Sequence, residues 1–424
     1  MNPVPGQLSL FDHVADVYGQ SQESGLDNAR LYRAVAAAAR IPTAEIEEKS
    51  PVGLAGQPHS LLTRRLRWYQ QDLKRLGLIE RVDGKRGLWR LTSEGKIKLR
   101  RAEPKVAMLA FSTELGIAIW GNAEEVFSNR LDTPIVLAIC SPPYPLRKPR
   151  AYGNPPASEY VDFICRVMEP IVANLAPGGS LVINATNEAF EPNSPARSTY
   201  LERMIIALED RLGLKLMDRM PWDNPSKPPG PIHWASKVRC HLNAGWEPVI
   251  WMTNDPFRVR SNNRRVLEPH SDRQKKLIAA GGEKRSASYA DGAYTLKPGS
   301  FGNPTEGRIP RNVLRYGHSC ADHREYRADA ARLGLPAHGA PFPKAMVKDL
   351  ISFMTEPGDL VADHLAGKLT VPMASEELGR CWISSEWMWD YVRGAAERFR
   401  TAVGFEMNRA FVEAGNAEFE QRAA

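Results

Sequence analysis

Residues Ile135 to Tyr144 read IVLAICSPPY, an unbroken apolar run stopped by two prolines. The run is branched and continuous enough for a strand buried on both faces of a parallel sheet, while Pro142 and Pro143 forbid further strand pairing and helix. A rigid turn therefore follows at the strand's carboxyl end, the end at which open α/β sheets bind their ligands. The prolines have no N–H to donate, so the turn presents carbonyls and the Ser141 hydroxyl beside the Tyr144 ring. Such a surface suits a flat ring that carries an amino group.

A chain of 424 residues is too long for one ordinary core and long enough for a large α/β domain with a smaller companion. No stretch approaches the ~20 apolar residues that span a bilayer, and the first residues lack a basic region followed by an apolar one. The expectation is a cytoplasmic protein without membrane contact. Five scattered cysteines, Cys140, Cys165, Cys240, Cys320 and Cys381, argue against a disulfide framework.

The net charge of +7 is modest but concentrated: between Ser60 and Arg101 stand 13 Lys or Arg against 4 Asp or Glu. A polyanion is the simplest partner for that field, a solvated basic face the bland alternative. Ser60 is placed to cap a helix whose apolar positions Leu62, Leu66, Tyr69, Leu73 and Leu76 recur at spacings of four and three, leaving Arg64, Arg65, Arg67 and Lys74 largely off the buried stripe. Gly77 ends it. Leu78–Val82 and Leu88–Leu91 read as strands around the turn Asp83-Gly84-Lys85-Arg86-Gly87. With an earlier helix over Ala29–Ala39, this is a winged-helix-like pattern: a helix able to enter a major groove and a basic hairpin, with Lys85 and Arg86, able to lie on phosphates.

Beyond Pro104 the chain alternates strands and helices. A helix over Ala157–Leu175 is followed by a Pro177-Gly178-Gly179 turn and the strand Ser180–Asn184; a helix over Ala196–Leu212 precedes strands at Leu214–Met220 and Glu247–Thr253. The glycine-containing opening of a nucleotide-binding unit comes late instead. Asp359–Asp363 is a compact strand, the loop His364 to Thr370 leads into a helix through Glu377, and Cys381–Glu386 is a strand ending in an acid. The 23 residues from Asp363 to Glu386 match the interval between the first strand end and the acidic second strand end of such a unit. Glu386 is placed to take two ribose hydroxyls, and Gly367 permits close backbone approach. An ordinary strand-helix-strand explains this segment about as well when it is taken alone.

Two other segments invite weaker readings. Arg258 to Tyr316 is rich in polar turn residues, as a recognition region would be, and Arg258, Arg260, Arg264, Arg265, Arg273, Lys275 and Lys276, with Lys227 and Arg308, are candidates for phosphates or guanine edges. A solvated arginine is the alternative for each. His318-Ser319-Cys320-Ala321-Asp322-His323 offers three potential zinc ligands without a clearly spaced fourth, so no metal is assigned. His233 beside Trp234 is read as a positioning or packing residue.

Taken together, Ser141–Tyr144, the D-x-x-x-G segment Asp363–Gly367, the acid Glu386 and His338-Gly339-Ala340-Pro341-Phe342-Pro343 resemble the permuted beta class of S-adenosylmethionine-dependent amino DNA methyltransferases over Ile117–Phe405. Gly121-Asn122 stands where that family usually has Gly-Asp. The resemblance implies a Rossmann-like α/β methyltransferase fold with circularly permuted motif order, S-adenosyl-L-methionine as cofactor and double-stranded DNA as substrate. The Ser-Pro-Pro-Tyr form implies N4 of cytosine rather than N6 of adenine. Two departures stand out: the cofactor segment has His364-Leu365 for Pro-Phe and Lys368-Leu369 for Ser-Gly, and Gly339 stands where the family commonly has Pro.

On this reading Ser141, Pro142, Pro143 and Tyr144 are catalytic, with the Pro142 carbonyl and Ser141 accepting from the amine and Tyr144 stacking on a flipped base. Glu386, Asp363, Ala366, Gly367, His338, Phe342 and Pro343 surround the cofactor; Trp387 covers its adenine or belongs to the core. The expected units are 1–105 (DNA-binding), 106–257 (catalytic half), 258–330 (target recognition) and 331–424 (cofactor half). A homodimer and a cognate restriction enzyme remain open as partners. The competing readings are an adenine-N6 enzyme, an RNA methyltransferase, and a DNA-binding protein with a degenerate methyltransferase fold.

Overall fold

A computed structural model describes residues 13–14, 17–18, 25–39, 41–52, 57–75, 79–82, 85, 87–92, 107–145, 155, 158–339 and 342–413. The amino-terminal unit has its own apolar core, in which Leu31 and Val35 of the helix Asn28–Ala38 meet Leu66 and Leu73 of the helix Leu61–Arg75. Ser60 caps the second helix as expected: its Oγ accepts from the Thr63 N–H at 3.2 Å. Against these helices lies a three-stranded sheet in the order β1 (Leu26–Asp27), β5 (Leu88–Leu91), β4 (Ile79–Arg81). Trp89 anchors β5 in the core, and the Lys74 and Arg81 cations sit 5.9 and 5.0 Å from its ring. A separate small ribbon pairs β2 (Ser50–Val52) with β3 (Gln57–His59).

The rest of the chain is built on one ten-stranded sheet. Its strands are β6 (Ala107–Ser112), β7 (Gly116–Gly121), β8 (Ile135–Cys140), β9 (Leu175–Asn184), β10 (Lys215–Asp223), β11 (Trp246–Thr253), β14 (Leu314–Arg315), β15 (Leu360–Asp363), β16 (Cys381–Glu386) and β17 (Glu406–Met407). The short hairpin β12 (Ala287–Tyr289) and β13 (Tyr294–Leu296) stands apart from it. The spatial order is β14-β10-β11-β9-β8-β15-β16-β7-β6-β17, and the central five strands β9, β8, β15, β16 and β7 are mutually parallel. Strand β11 runs against β9. The two innermost strands, β8 and β15, lie more than two hundred residues apart in the chain.

Burial on both faces explains the unbroken apolar runs: all six residues of β8 are buried. On one face Ala138, Cys140 and Ile183 pack with the helices Tyr160–Ala173 and Tyr200–Leu212; on the other Leu137, Ile139 and Val182 pack with Lys344–Met354 and Thr370–Glu377. Cys140 is therefore core, and burial pushes its thiol well above the ordinary range, with Asp363 adding to the shift.

Two expectations need correction. Pro177-Gly178-Gly179 is not a turn before the strand but a bulge inside it: Ile135 is level with Leu175 and Leu137 with Ser180, so residues 176–179 stand opposite Val136 alone. Gly178, at φ +78°, is needed there, since a Cβ would fall 2.0 Å from the Arg258 carbonyl oxygen. The boundary placed at 330/331 falls inside the helix Ala321–Arg332, whose Tyr326 packs in the same cluster as Trp389 and Val392 of the cofactor-side half.

Candidate active site

Beyond β8 the prolines end the ladder and leave Ser141 and Tyr144 half-buried at the sheet edge. Their hydroxyls lie 2.8 Å apart, and both converge on the Asn184 amide oxygen, from Tyr144 at 2.7 Å and from Ser141 at 3.4 Å. Asn184 ends β9 and is 3% exposed; its amide nitrogen donates to the Pro248 carbonyl at 3.3 Å. Asn184 was not among the residues singled out from sequence. Its signal was the polar residue closing an apolar strand at its carboxyl end.

The second cluster lies at the ends of β15 and β16. The Asp363 carboxylate accepts from the Leu365 N–H at 3.3 Å, and Glu386 accepts from the Gly367 N–H at 2.7 Å and the Met388 N–H at 2.9 Å. Both acids are buried. Burial pushes the Asp363 carboxyl well above the usual carboxylate range; the Leu365 N–H opposes this and the Glu386 charge adds to it. Ser385 Oγ donates to the His364 carbonyl at 2.8 Å, and the Ala366 N–H to the Ser385 carbonyl at 3.1 Å, so β16 shapes the loop that leaves β15. Gly367, at φ +50°, leaves room for the His338 ring, whose atoms lie 3.1 to 3.3 Å from where a Cβ would stand.

Register brings the two clusters together. Ala362 is level with Ala138 on the neighbouring parallel strand, so Asp363 and Ser141 leave the same end of strands spaced about 4.8 Å apart. Asp363 is level with Ser384, two residues before Glu386. The Ser141–Tyr144 turn and both acids therefore share the carboxyl end of the parallel strands.

Other expected site residues fall less centrally. Ala366 is buried beside Leu369, and Phe342 is 7% exposed in the cluster with Leu137 and Ile139, so its ring is part of the core under the edge rather than only a wall; Pro343 is buried beside it. The Trp387 carbonyl accepts from the Trp120 indole at 2.8 Å. Asn122, in the place of the expected acid, caps the short helix Ala123–Val126 through the Glu124 N–H at 2.9 Å.

Among the basic candidates, Lys227 is corrected: its side chain is 10% exposed and its ammonium sits between Glu247, at 2.8 Å, and Glu188, at 3.4 Å. Arg260 and Arg265 are engaged with the turn before β15, Arg260 with Asp359 at 2.8 Å and Arg265 with Glu356 at 2.5 Å. These contacts tie the 258–330 segment to the turn before β15. Arg264, Arg273, Lys275 and Lys276 are exposed. Arg67 donates to the Tyr32 hydroxyl at 2.7 Å while remaining exposed, and Lys85 is exposed on the hairpin. The Arg64 and Arg65 side chains and residue Arg86 lie outside the described residues. His318 contacts the Asn224 amide at 3.2 Å, and His233 stacks edge-on with Trp234. Among the described residues no helix is long and apolar enough to cross a membrane.

An open α/β sheet whose neighbouring parallel strands end in acids and in a proline-closed turn has the architecture of nucleotide-binding folds. Comparison with known proteins narrows this class. Residues 135–398 match the DNA methylase family model for N6 and N4 methyltransferases, and residues 9–101 match the Mrr N-terminal domain. The type II methyltransferase M.PvuII of Proteus hauseri is 33% identical over 290 residues, 68% of this chain and 85% of that protein. The type II methyltransferase M1.MboII of Moraxella bovis is 22% identical over 262 residues, 62% of this chain and 87% of its own. A solved structure described as PvuII DNA methyltransferase (cytosine-N4-specific) superposes with a TM-score of 0.54 at 27% identity, covering 73% of this chain and 94% of that one. The chain belongs to the N6/N4 DNA methylase family, with a Rossmann-like fold and a small amino-terminal domain.

Proposed function

We propose that this protein transfers a methyl group from S-adenosyl-L-methionine to the exocyclic N4 amine of cytosine in double-stranded DNA, in a methyltransferase fold whose motif order is circularly permuted. The observation that carries the reading is the shared carboxyl end of the parallel strands, where the Ser141 turn and the Asp363 and Glu386 carboxylates end neighbouring strands. Similarity to a cytosine-N4-specific enzyme at the level of sequence and fold supports the choice of base.

The cofactor, when bound, supplies an electrophilic methyl group on a sulfonium. The residues present suit it: Glu386 is placed for ribose hydroxyls, Asp363 for the cationic methionine end, and Gly367 for close approach of the backbone. The cytosine amine is a poor nucleophile because its lone pair is delocalised into the ring. Two fixed acceptors, Ser141 Oγ and the Pro142 carbonyl, favour a pyramidal nitrogen with its lone pair free to attack; the amine, once methylated, gives up one proton by way of Ser141 Oγ to water. Preorganisation is what they contribute, since a serine hydroxyl is not a useful base at neutral pH. Asn184 and Tyr144 orient the serine oxygen. The Tyr144 ring stacks on the flipped base, and such stacking is worth roughly 1 to 3 kcal/mol, comparable with the cost of unstacking one nucleotide.

The amino-terminal unit is read as a winged helix on DNA, with Arg67 and Lys85 among its phosphate contacts and with the exposed Arg264, Arg273, Lys275 and Lys276 adding contacts from the 258–330 segment. The test is incubation of the protein with double-stranded DNA and isotopically labelled S-adenosylmethionine, followed by mass analysis of the nucleosides. Labelled N4-methylcytosine is expected; labelled N6-methyladenine would overturn the choice of base, and unlabelled DNA the reading as an active enzyme.

A further inference from the structure

The loop that leaves β15 has one glycine, Gly367 at φ +50°, but no small residue at its second left-handed position. Leu369 sits at φ +57°, in the left-handed region that costs a residue with a side chain about 1 kcal/mol. Lys368 beside it is 1% exposed, and a lysine is almost never buried unless paired. Its ammonium meets one oxygen of Asp322 on the helix Ala321–Arg332. The other oxygen accepts from Arg398 Nη1 at 2.6 Å and lies 3.7 Å from the Lys344 ammonium. Arg398 also donates to the Lys368 carbonyl. Side chain and backbone of one loop residue are thus both held, while Glu386 holds the preceding residue through the Gly367 N–H.

The same helix reaches the opposite wall. Tyr326, one turn after Asp322, accepts the His338 N–H at 3.0 Å, and the His338 ring closes over Gly367. Burial lowers the Lys368 ammonium from its ordinary range, with Arg398 adding and Asp322 opposing. Against the cost of its burial, Arg398 and Lys368 hold the Asp322 carboxyl at about 2.

We propose that Lys368 and Asp322 are positioning residues for the cofactor: the buried ion cluster fixes the Ala366–Leu369 loop in its binding shape before the cofactor arrives, achieving by charge what a glycine-rich turn achieves by small size. This rests on the reading of that loop as the cofactor floor. Loss of Lys368 leaves Asp322 paired with Arg398 and Lys344, so the fold survives while the loop loses its side-chain tether and keeps only the backbone ties to Arg398 and Glu386. Loss of Asp322 strands buried cations and costs more.

The experiment titrates S-adenosylhomocysteine into full-length wild-type, Lys368→Met and Lys368→Arg proteins by calorimetry, with hydrogen exchange followed on the wild type. Lys368→Met is expected to weaken binding by about tenfold or more and Lys368→Arg to restore most of it, because ordering the loop then falls to the ligand. In the unliganded wild type, amides of residues 366–369 should already be protected, slowing by no more than about threefold when ligand is added. Folded Lys368→Met protein that binds within about twofold of wild type would overturn the proposal. So would a wild-type loop that exchanges freely until ligand is present, a result that does not depend on any variant folding. Failure of the wild type itself to bind would instead remove the cofactor reading on which the proposal stands.

Discussion

The Tyr144 hydroxyl donates to the Asn184 amide oxygen at 2.7 Å and lies 2.8 Å from the Ser141 oxygen. An amide oxygen only accepts, so the tyrosine proton points to Asn184 and the serine proton is free to point to the tyrosine oxygen. In that arrangement Ser141 spends its proton on the tyrosine and keeps its lone pairs for accepting from an amine. Asn184→Leu and Tyr144→Phe should each lower kcat by about tenfold while leaving S-adenosylhomocysteine affinity within about twofold, because they disturb a preorganised acceptor without touching the cofactor. Tyr144→Ala should lose more, since the stacking surface goes as well. Single-turnover kinetics with calorimetry separates the two effects; unchanged turnover in Asn184→Leu would remove Asn184 from the account.

Glu386 binds two backbone N–H groups of the loop and is also the expected ribose acceptor. Glu386→Ala should therefore weaken S-adenosylhomocysteine binding by at least about tenfold and speed amide exchange at Gly367 and Met388. Binding that stays at the wild-type level would place the ribose elsewhere.

Leu369 tests the balance between strain and packing in the loop. Glycine would relieve about 1 kcal/mol of left-handed strain, but it removes a side chain that is 1% exposed and worth about 2 to 5 kcal/mol in such cores. Leu369→Gly should thus lower stability by about 1 to 4 kcal/mol in urea titration. A gain in stability would mean that the strain outweighs the packing.

His364 is buried against Phe127, neither ring nitrogen has a hydrogen-bond partner among the described residues, and burial lowers its pKa to about 3. Between that value and the ordinary value near 6.5 the unfolded chain binds a proton that the folded chain does not, so this residue's contribution falls as pH drops below about 6.5. The Asp363 carboxyl, raised by burial, acts in the opposite sense over part of the same range. The comparison of His364→Leu with wild type isolates the histidine. The variant should gain on wild type by up to ~1.4 kcal/mol per pH unit from pH 6.5 to 5, and a stability difference independent of pH would contradict the assignment.

Lys227, enclosed by Glu247 and Glu188, should not count toward phosphate neutralisation. Lys227→Met should leave the slope of log Kd for DNA against log salt unchanged, whereas a lost phosphate contact would reduce it by about 1.

Much of the architecture was legible from local pattern. The strand Cys381–Glu386 coincides with its expected span, and Ser60 and the Leu66/Leu73 stripe behave as periodicity implied, because cap chemistry and apolar spacing are local properties. The Pro177-Gly178-Gly179 bulge was misread because its reason lies in the Arg258 carbonyl about eighty residues away. Asn184 meets Tyr144 across forty residues and Lys368 meets Asp322 across forty-six. Such pairings depend on strand register and helix placement, which no spacing within the sequence reports. For the same reason Lys227 read as a surface cation until its two carboxylates were located.

The most direct test of a shared crevice is a crystal structure of the protein with S-adenosylhomocysteine bound. The account predicts ribose hydroxyls on Glu386 and the thioether sulfur directed toward the Ser141–Tyr144 turn, with room between them for one flat ring. A ligand bound away from Glu386, or with its sulfur turned from Ser141, would contradict it.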